Sequence, residues 1–427
     1  MNIFTRIKSN VWSYCRDFST VFVKAIEHEI FDDKGNSYID FFCGAGALNY
    51  GHNNPKFKQY LINYIQGNGI THSLDMYTQA KGQFLEAFEE TILKSRNLEY
   101  KVMFPGPTGT NAVEAALKLA RKVKGRPTIV HCKNSFHGVT LGSLSVTDNQ
   151  KYRNASGVPL RNSYSIPFNN QHCENEQEID SLDKFFEQLN SLGEKPAAVI
   201  LEIVQAEGGI NVASASWLKQ LWQQTQKQDI LLIVDDIQVG CGRTGTFFSF
   251  EQFGLKPDLV CLSKSISGYG TPMSLLLIRP QLDCWEPGEH NGTFRGNNLA
   301  FVTARAAILE YWQNNELLIE TNQKASILSQ KLQEIVDLFP ALHGKHRDRG
   351  MIQGIACQST EIASKIRQTA FQRGLILETA GSHNEVLKLL PPLTISYEAL
   401  YKGLAIIEES IDYSLASNLS LSGYEKH

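Results

Sequence analysis

Residues 230–245 read ILLIVDDIQVGCGRTG. Five apolar residues from Ile230 to Val234 form a short β-rich run, and a carboxylate, Asp235, follows at once. An unbroken apolar run of this length suits a strand buried on both faces, as in a parallel sheet covered by helices. Similar runs stand at Thr128–His131, Ala197–Val204 and Asp258–Leu262, and the last ends just before Lys264. Helical patterns separate several of them. Residues Val113, Ala116, Leu117, Ala120 and Val123 fall on one stripe of a cylinder, with Lys118, Arg121 and Lys122 elsewhere around it. Alternating strands and helices predict an α/β fold with a doubly wound parallel sheet. In such sheets ligands bind at the carboxyl ends of the strands, where Asp235 and Lys264 stand. A carboxylate and an amine at one crevice suit a nucleophilic lysine with a charge partner, or an ordinary ion pair.

The flanks differ in texture. Near the N-terminus, Ile30-Phe31 and Tyr38–Phe41 bracket the turn Asp32–Asn36, a hairpin pattern. Beyond Asn298 the chain reads as helical over Leu299–Trp312 and Asn322–Phe339. A further α+β block, about 348–413, holds strand-like Gly374–Leu377 and Glu385–Leu390. From Leu415 the chain is Ser-rich and reads as a frayed end.

Composition excludes several classes. The chain has 427 residues, 42% apolar and 20% charged, which is globular. Lysine plus arginine number 41 against 44 acids, so no strong field draws nucleic acid or a membrane surface. No apolar stretch approaches the roughly 18 residues of a spanning helix. The eight cysteines include no CxxC pair, which points to reduced thiols and no metal site. The first residues lack the apolar core of a secretory signal, so the expected compartment is the cytoplasm.

Two glycine motifs read differently. GPTGTN, 106–111, precedes the amphipathic helix, so backbone N–H groups of Thr108, Gly109 and Thr110 would face an anion such as phosphate. GCGRTG, 240–245, is a formal GxGxxG, but the aromatic TFFSF sequence follows instead of a helix. The dinucleotide reading, and with it an NAD-dependent oxidoreductase, is therefore disfavoured. Phe136-His137-Gly138 pairs an aromatic with an imidazole, either core filler or a stacking surface for a flat heterocycle.

In order along the chain, GPTGTNAVEAALKLAR, FHG, EIVQAEGG, VDDIQVGCGRTG, LSKSISGYG and NGTFRGNN resemble the class III (omega) aminotransferases. The resemblance covers about residues 10 to 410. Segments 73–88 and 288–304 are similar to the subfamily acting on diaminobutyrate and 2-oxoglutarate. It implies pyridoxal 5'-phosphate (PLP) fold type I: a large domain on a mostly parallel seven-stranded sheet, and a small α+β domain from both chain ends. The expected division is 1–55 and 301–427 for the small domain and 56–300 for the large one. Lys264 matches the lysine that binds the cofactor, Asp235 the carboxylate at its pyridine nitrogen, and Gln238 the partner of its ring hydroxyl. Thr108, Gly109 and Thr110 match the phosphate cradle. Phe136 matches the stacking aromatic, with His137 beside it. Thr293 matches a residue reaching the phosphate from a neighbouring subunit, which implies a homodimer or larger assembly with shared sites.

Glu207 matches a carboxylate that gates a substrate-gripping arginine, but here Lys388 stands in the arginine's place. Lysine cannot make the bidentate fork to a carboxylate. Ala45 and Asp75 fall where relatives shape the substrate pocket. The implied partners are a small amino donor and a keto or aldehyde acceptor. The implied reaction moves the amino group of glutamate onto L-aspartate 4-semialdehyde. Ornithine or 4-aminobutyrate transamination, or glutamate-1-semialdehyde aminomutase chemistry, is the alternative within the class.

Overall fold

A computed structural model describes residues 3–171 and 179–422. Its centre is a seven-stranded sheet made of β1 (Lys101–Met103), β2 (Ile129–Cys132), β3 (Ser163–Ile166), β4 (Ala198–Leu201), β5 (Leu231–Asp235), β6 (Leu259–Leu262) and β7 (Leu275–Ile278), in the order β1-β7-β6-β5-β4-β2-β3. Pairings from β6 across to β3 are all parallel, and β7 pairs antiparallel with both its neighbours. The mostly parallel α/β sheet expected from sequence is present. Strands β1, β3 and β7 went unread because the first is too short to show periodicity. Strand β3, Ser-Tyr-Ser-Ile, has no apolar run to mark it, and β7 is an apolar run, Leu275–Ile278, outside the runs singled out from sequence.

Side-chain alternation divides the core in two. Ile129, Ile200, Ile233 and Cys261 face one side, where Val113, Ala116, Leu117 and Ala120 of α1 (Gly109–Lys124) cover them. Val130, Leu201, Val234 and Leu262 face the other, against Phe84, Trp217 and Phe301. Both faces are dry, which is why these strands lack a polar stripe. The run expected over Ala197–Val204 breaks after Leu201. It resumes at Val204–Gln205, which pairs with Asn211–Val212, and Glu202 sits at the break.

The N-terminal hairpin forms as read, with Ile30 opposite Tyr38. Asp32 closes its turn by accepting backbone N–H bonds from Lys34 (3.0 Å) and Asn36 (2.8 Å). Leu375–Ile376 adds parallel to this sheet beside Ser37–Asp40, so the two chain ends meet. A separate antiparallel sheet contains β8 (Lys345–Arg349), β9 (Ile352–Ala356), β10 (Glu378–Ala380) and β11 (Val386–Leu389), ordered β8-β9-β11-β10.

The Ser-rich end departs from expectation. Instead of fraying at Leu415, helix α2 runs over Tyr397–Ser422. Two of its serines bond back into the helix: Ser410 Oγ donates to the Ile406 carbonyl and Ser417 Oγ to that of Tyr413. Leu404, Ile407 and Ile411 meanwhile anchor the helix in the core. Residues 423–427 lie outside the described part. Gly403 of α2 packs on the ring of Phe41, where an added Cβ would come within 2.3 Å. Gly403→Ala should therefore cost about 1–3 kcal/mol through overpacking, read as a lower denaturant midpoint at unchanged slope.

Among the described residues, no helix is long and apolar enough to cross a membrane. No metal-binding cluster is present among them, and their seven cysteines are all free.

Candidate active site

Parallel strands deliver their carboxyl ends to one edge of the sheet, and the candidate residues collect there. A cavity of about 210 Å³ is lined by Gly109, Thr110, Phe136, His137, Glu202, Glu207, Asp235, Gln238 and Lys264, with a few small or apolar neighbours. Asp235 ends β5. Its Oδ2 lies 2.7 Å from His137 Nδ1, and its Oδ1 accepts the Ile237 N–H at 3.2 Å. His137 Nε2 is buried and has no partner. Lys264 follows β6 with φ +52°, a left-handed conformation that is uncommon for a residue with a side chain. Its Nζ donates to the Ala45 carbonyl at 2.9 Å.

Ala45 lies in a loop where Cys43, Gly44, Ala45 and Gly46 all have positive φ. This path turns the Ala45 carbonyl onto both Lys264 and Gln238, whose Nε2 donates to it at 2.7 Å. Ser265 Oγ holds the loop from below through the Gly46 carbonyl, at 2.7 Å.

The start of α1 borders the cavity. Thr108 donates its N–H and Oγ1 to Asn111 Oδ1, at 3.1 and 2.9 Å. The opening N–H groups of a helix have no partners within it, so Gly109 and Thr110 present donors and the positive end of the helix dipole. Thr110 Oγ1 is fixed between Thr140 and Ser143, at 2.8 and 2.7 Å. Gly138 (φ +115°) keeps the space open, since a Cβ there would lie 2.6 Å from Thr110 Oγ1.

On the other side lies a charge cluster. Lys388 of β11 is wholly buried, with Nζ 2.7 Å from Glu207 and 3.0 Å from Glu378. The sequence alone did not single out Glu378. The available signal was a lone acid in the apolar run LILETA, but the strand register that sets it opposite Lys388 is a tertiary fact. Gln238 Nε2 also reaches Glu207, at 3.2 Å.

Electrostatics follow from this packing. Burial holds the Lys264 amine below the ordinary lysine value. Glu207 opposes that shift and Lys388 reinforces it. Burial pushes Glu207 up, but Lys388 and then Lys264 outweigh it and leave its carboxyl below the usual range. Burial pushes Glu378 up to about 7 against the pull of Lys388. Burial, aided by Asp235, raises Glu202 well above the carboxylate range, although its Oε1 accepts the Phe136 N–H at 2.9 Å.

Of the expected residues, Thr108, Ala45 and Lys388 stand behind the lining of this cavity, and Asp75 and Thr293 are not brought to it within one chain. Asp75 is exposed and borders a separate cavity with His290, Asn291 and Arg295. Thr293 is exposed in the same region, where His72 and Phe294 rings meet edge to face and Asn291 reaches Asp75 at 3.2 Å. Both sit on surface segments that run away from the strand ends. The GxGxxG at 240–245 opens no helix and lies in a series of turns from Asp236 to Phe250.

Known proteins share this architecture. Ornithine aminotransferase from Toxoplasma gondii superposes with a TM-score of 0.84 at 24% identity, over 98% of this chain and 94% of its own. Acetylornithine aminotransferase from Elizabethkingia anophelis gives 0.77 at 24% identity, over 96% and 97%. At that identity the likeness speaks for the fold. In sequence, diaminobutyrate–2-oxoglutarate transaminase of Halalkalibacterium halodurans is 55% identical over 411 residues, 96% of each chain. The protein of that name from Nocardia farcinica is 52% identical, over 96% of this chain and 94% of its own. The model of the aminotransferase class-III family matches residues 15–411. A lysine and an aspartate at adjacent strand ends, a helix N-terminus beside them and a match spanning nearly the whole chain agree, and this protein belongs to the class-III aminotransferases.

Proposed function

We propose that this enzyme moves the amino group of glutamate onto the aldehyde of L-aspartate 4-semialdehyde, reversibly, giving L-2,4-diaminobutyrate and 2-oxoglutarate. The observation that carries the reading is near-complete coverage at 49–55% identity by relatives named for that reaction. The Glu207–Lys388 pair beside the cavity supports it.

The enzyme is a PLP-dependent transaminase, and the cavity fits that group on three counts. Gly109 and Gly138 leave room at a helix N-terminus, where a phosphate would find unpaired N–H groups. Gln238 Oε1 is buried without a donor, which suits a ring hydroxyl. Asp235 is a buried carboxylate oriented by His137, which suits a pyridinium nitrogen. In this reading Gly109 and Thr110 hold the phosphate, whereas Thr108, expected there too, spends its N–H and hydroxyl on Asn111 as the helix cap; Phe136 covers the ring face, and Lys264 makes the covalent attachment. When bound, PLP supplies an electrophilic carbonyl and an electron sink.

The chain's own groups do the rest. Lys264, with its amine lowered by burial, is poised to attack as a nucleophile and to carry a proton. The Ala45 carbonyl fixes where that amine rests. His137 keeps the Asp235 carboxylate in one orientation. Glu207 offers its charge to the end of the substrate that does not react, and the buried Lys388 balances that charge from behind. For diaminobutyrate reacting at its terminal amine, that end carries an ammonium and a carboxylate. For glutamate it carries a carboxylate alone.

A second copy of the chain completes the site in this proposal. Thr293, Asp75 and the exposed Met76, Tyr77 and Phe294 supply the contact. The free thiols favour a reducing compartment such as the cytoplasm. The test mixes purified holoenzyme separately with 2,4-diaminobutyrate, ornithine, 4-aminobutyrate and glutamate and follows loss of the cofactor's absorption band. Conversion by diaminobutyrate and glutamate alone is expected. Conversion by ornithine or 4-aminobutyrate instead overturns the substrate assignment. Light scattering of the same sample should give a dimer or larger, and a monomer with full activity would end the shared-site reading.

A further inference from the structure

We propose that Glu378 gives the buried Lys388 a second carboxylate, and so makes this end of the site favour a distal end that carries an ammonium beside its carboxylate over one that carries a carboxylate alone, setting the preference for diaminobutyrate over glutamate. The inference rests on the proposed reaction and goes beyond it, to how one cavity ranks two donors whose distal ends differ by one positive charge.

Three observations carry it. First, Glu378 and Lys388 are direct cross-strand partners of β10 and β11, with Lys388 0% and Glu378 6% exposed. This pair is fixed by the sheet. Second, Glu207 comes from a turn between two short strands, is 28% exposed, and lines both the central cavity and a neighbouring one of about 340 Å³. Glu378 lines neither. Glu207 is therefore the acid able to meet substrate, and Glu378 acts through Lys388 and through its field. Third, the charge count is uneven. One ammonium faces two carboxylates, so the cluster carries a net negative charge when all three are ionised. A Glu–Lys pair alone would be neutral and would repel a dicarboxylate less.

The groups facing Glu378 are Lys388 on β11, Glu207 in its turn, Lys264 after β6, and the phenols of Tyr14 and Tyr152. Burial raises both phenols, and Glu207 and Glu378 raise them further, so they face the cluster as neutral donors. Glu378 itself is pushed up to about 7, chiefly by burial. Its negative charge is present above that pH and lost below it. Preference for the ammonium-bearing donor should therefore strengthen as pH rises.

The test compares wild type, Glu378→Gln and Glu378→Asp holoenzymes. It reads kcat/KM for the diaminobutyrate and glutamate half-reactions, and calorimetric affinity for glutarate, a dicarboxylate that cannot react. Glu378→Gln should lower the diaminobutyrate-to-glutamate ratio by at least about tenfold above neutral pH, as expected for one charge acting through protein. The gap from wild type should close below neutral pH. Glutarate should bind Glu378→Gln more tightly, and Glu378→Asp should restore the wild-type ratio. Equal losses for both donors, or a ratio unchanged by Glu378→Gln, would overturn the proposal. If Glu378→Gln does not fold, wild-type glutarate affinity decides, because independence of pH across neutrality would also overturn it. A wild type that converts glutamate but not diaminobutyrate would defeat the proposed reaction, while the glutarate arm would still judge Glu378.

Discussion

Replacing Lys264 with alanine should reduce amino transfer on the order of 10⁴-fold or more, since one amine serves as both nucleophile and proton carrier. Its surroundings are built for one side chain. The backbone at Lys264 takes a left-handed φ, and the Ala45 carbonyl receives the amine at 2.9 Å. Alanine leaves that carbonyl without its donor and leaves the cavity without a primary amine. Borohydride treatment of wild type should fix the cofactor to the chain, and the variant should lose it on denaturation. The fold should survive, because Lys264 carries no core packing and Ser265 still holds the 43–46 loop. Turnover within about tenfold of wild type would remove Lys264 from the chemistry.

Lys388→Met should produce the largest loss of stability, about 3–5 kcal/mol, because it strips the counter-charge from two acids held against each other. Methionine fills a similar volume, so the cost comes from charge and not from a cavity. The pH dependence has a definite sign. Without Lys388, burial and mutual repulsion raise both carboxyls above their unfolded values of roughly 4.3. A group raised on folding contributes stability below its unfolded value and loses it as pH rises through the folded one. The deficit should therefore be small near pH 5 and grow through neutrality, measured as the denaturant midpoint at each pH. Adding Glu378→Gln to Lys388→Met should recover part of it. A deficit that does not vary with pH would mean the lysine stem, not its charge, supports the sheet.

Much of this molecule is legible in one dimension. Strands β2, β4, β5 and β6 announce themselves as apolar runs because both their faces are dry. Helix α1 shows its stripe because one face meets those strands. Asp235 and Lys264 were findable since polar residues just past buried strands must lie at the sheet's edge, and the GxGxxG could be set aside from the aromatics after it. Strands at the sheet's margins were harder, and the Ser-rich end misled. There composition suggested a frayed end from Leu415, whereas the backbone stays helical to Ser422, with Ser417 bonded back to the carbonyl one turn earlier.

Sequence by itself determined the α/β order, the strand-end lysine and aspartate and the helix start after GPTGTN, all of which depend on residues near one another in the chain. Tertiary structure alone decided the rest. His137 meets Asp235 across 98 positions, the Ala45 carbonyl meets Lys264 across 219, and Lys388 meets Glu207 across 181. Only the pairing of β10 with β11 places Glu378 opposite Lys388. A register shift of one residue would turn that acid to the other face of the sheet. Local periodicity sets which face of an element is buried. The charge that faces another charge inside the protein is set by register and packing between elements far apart in the chain.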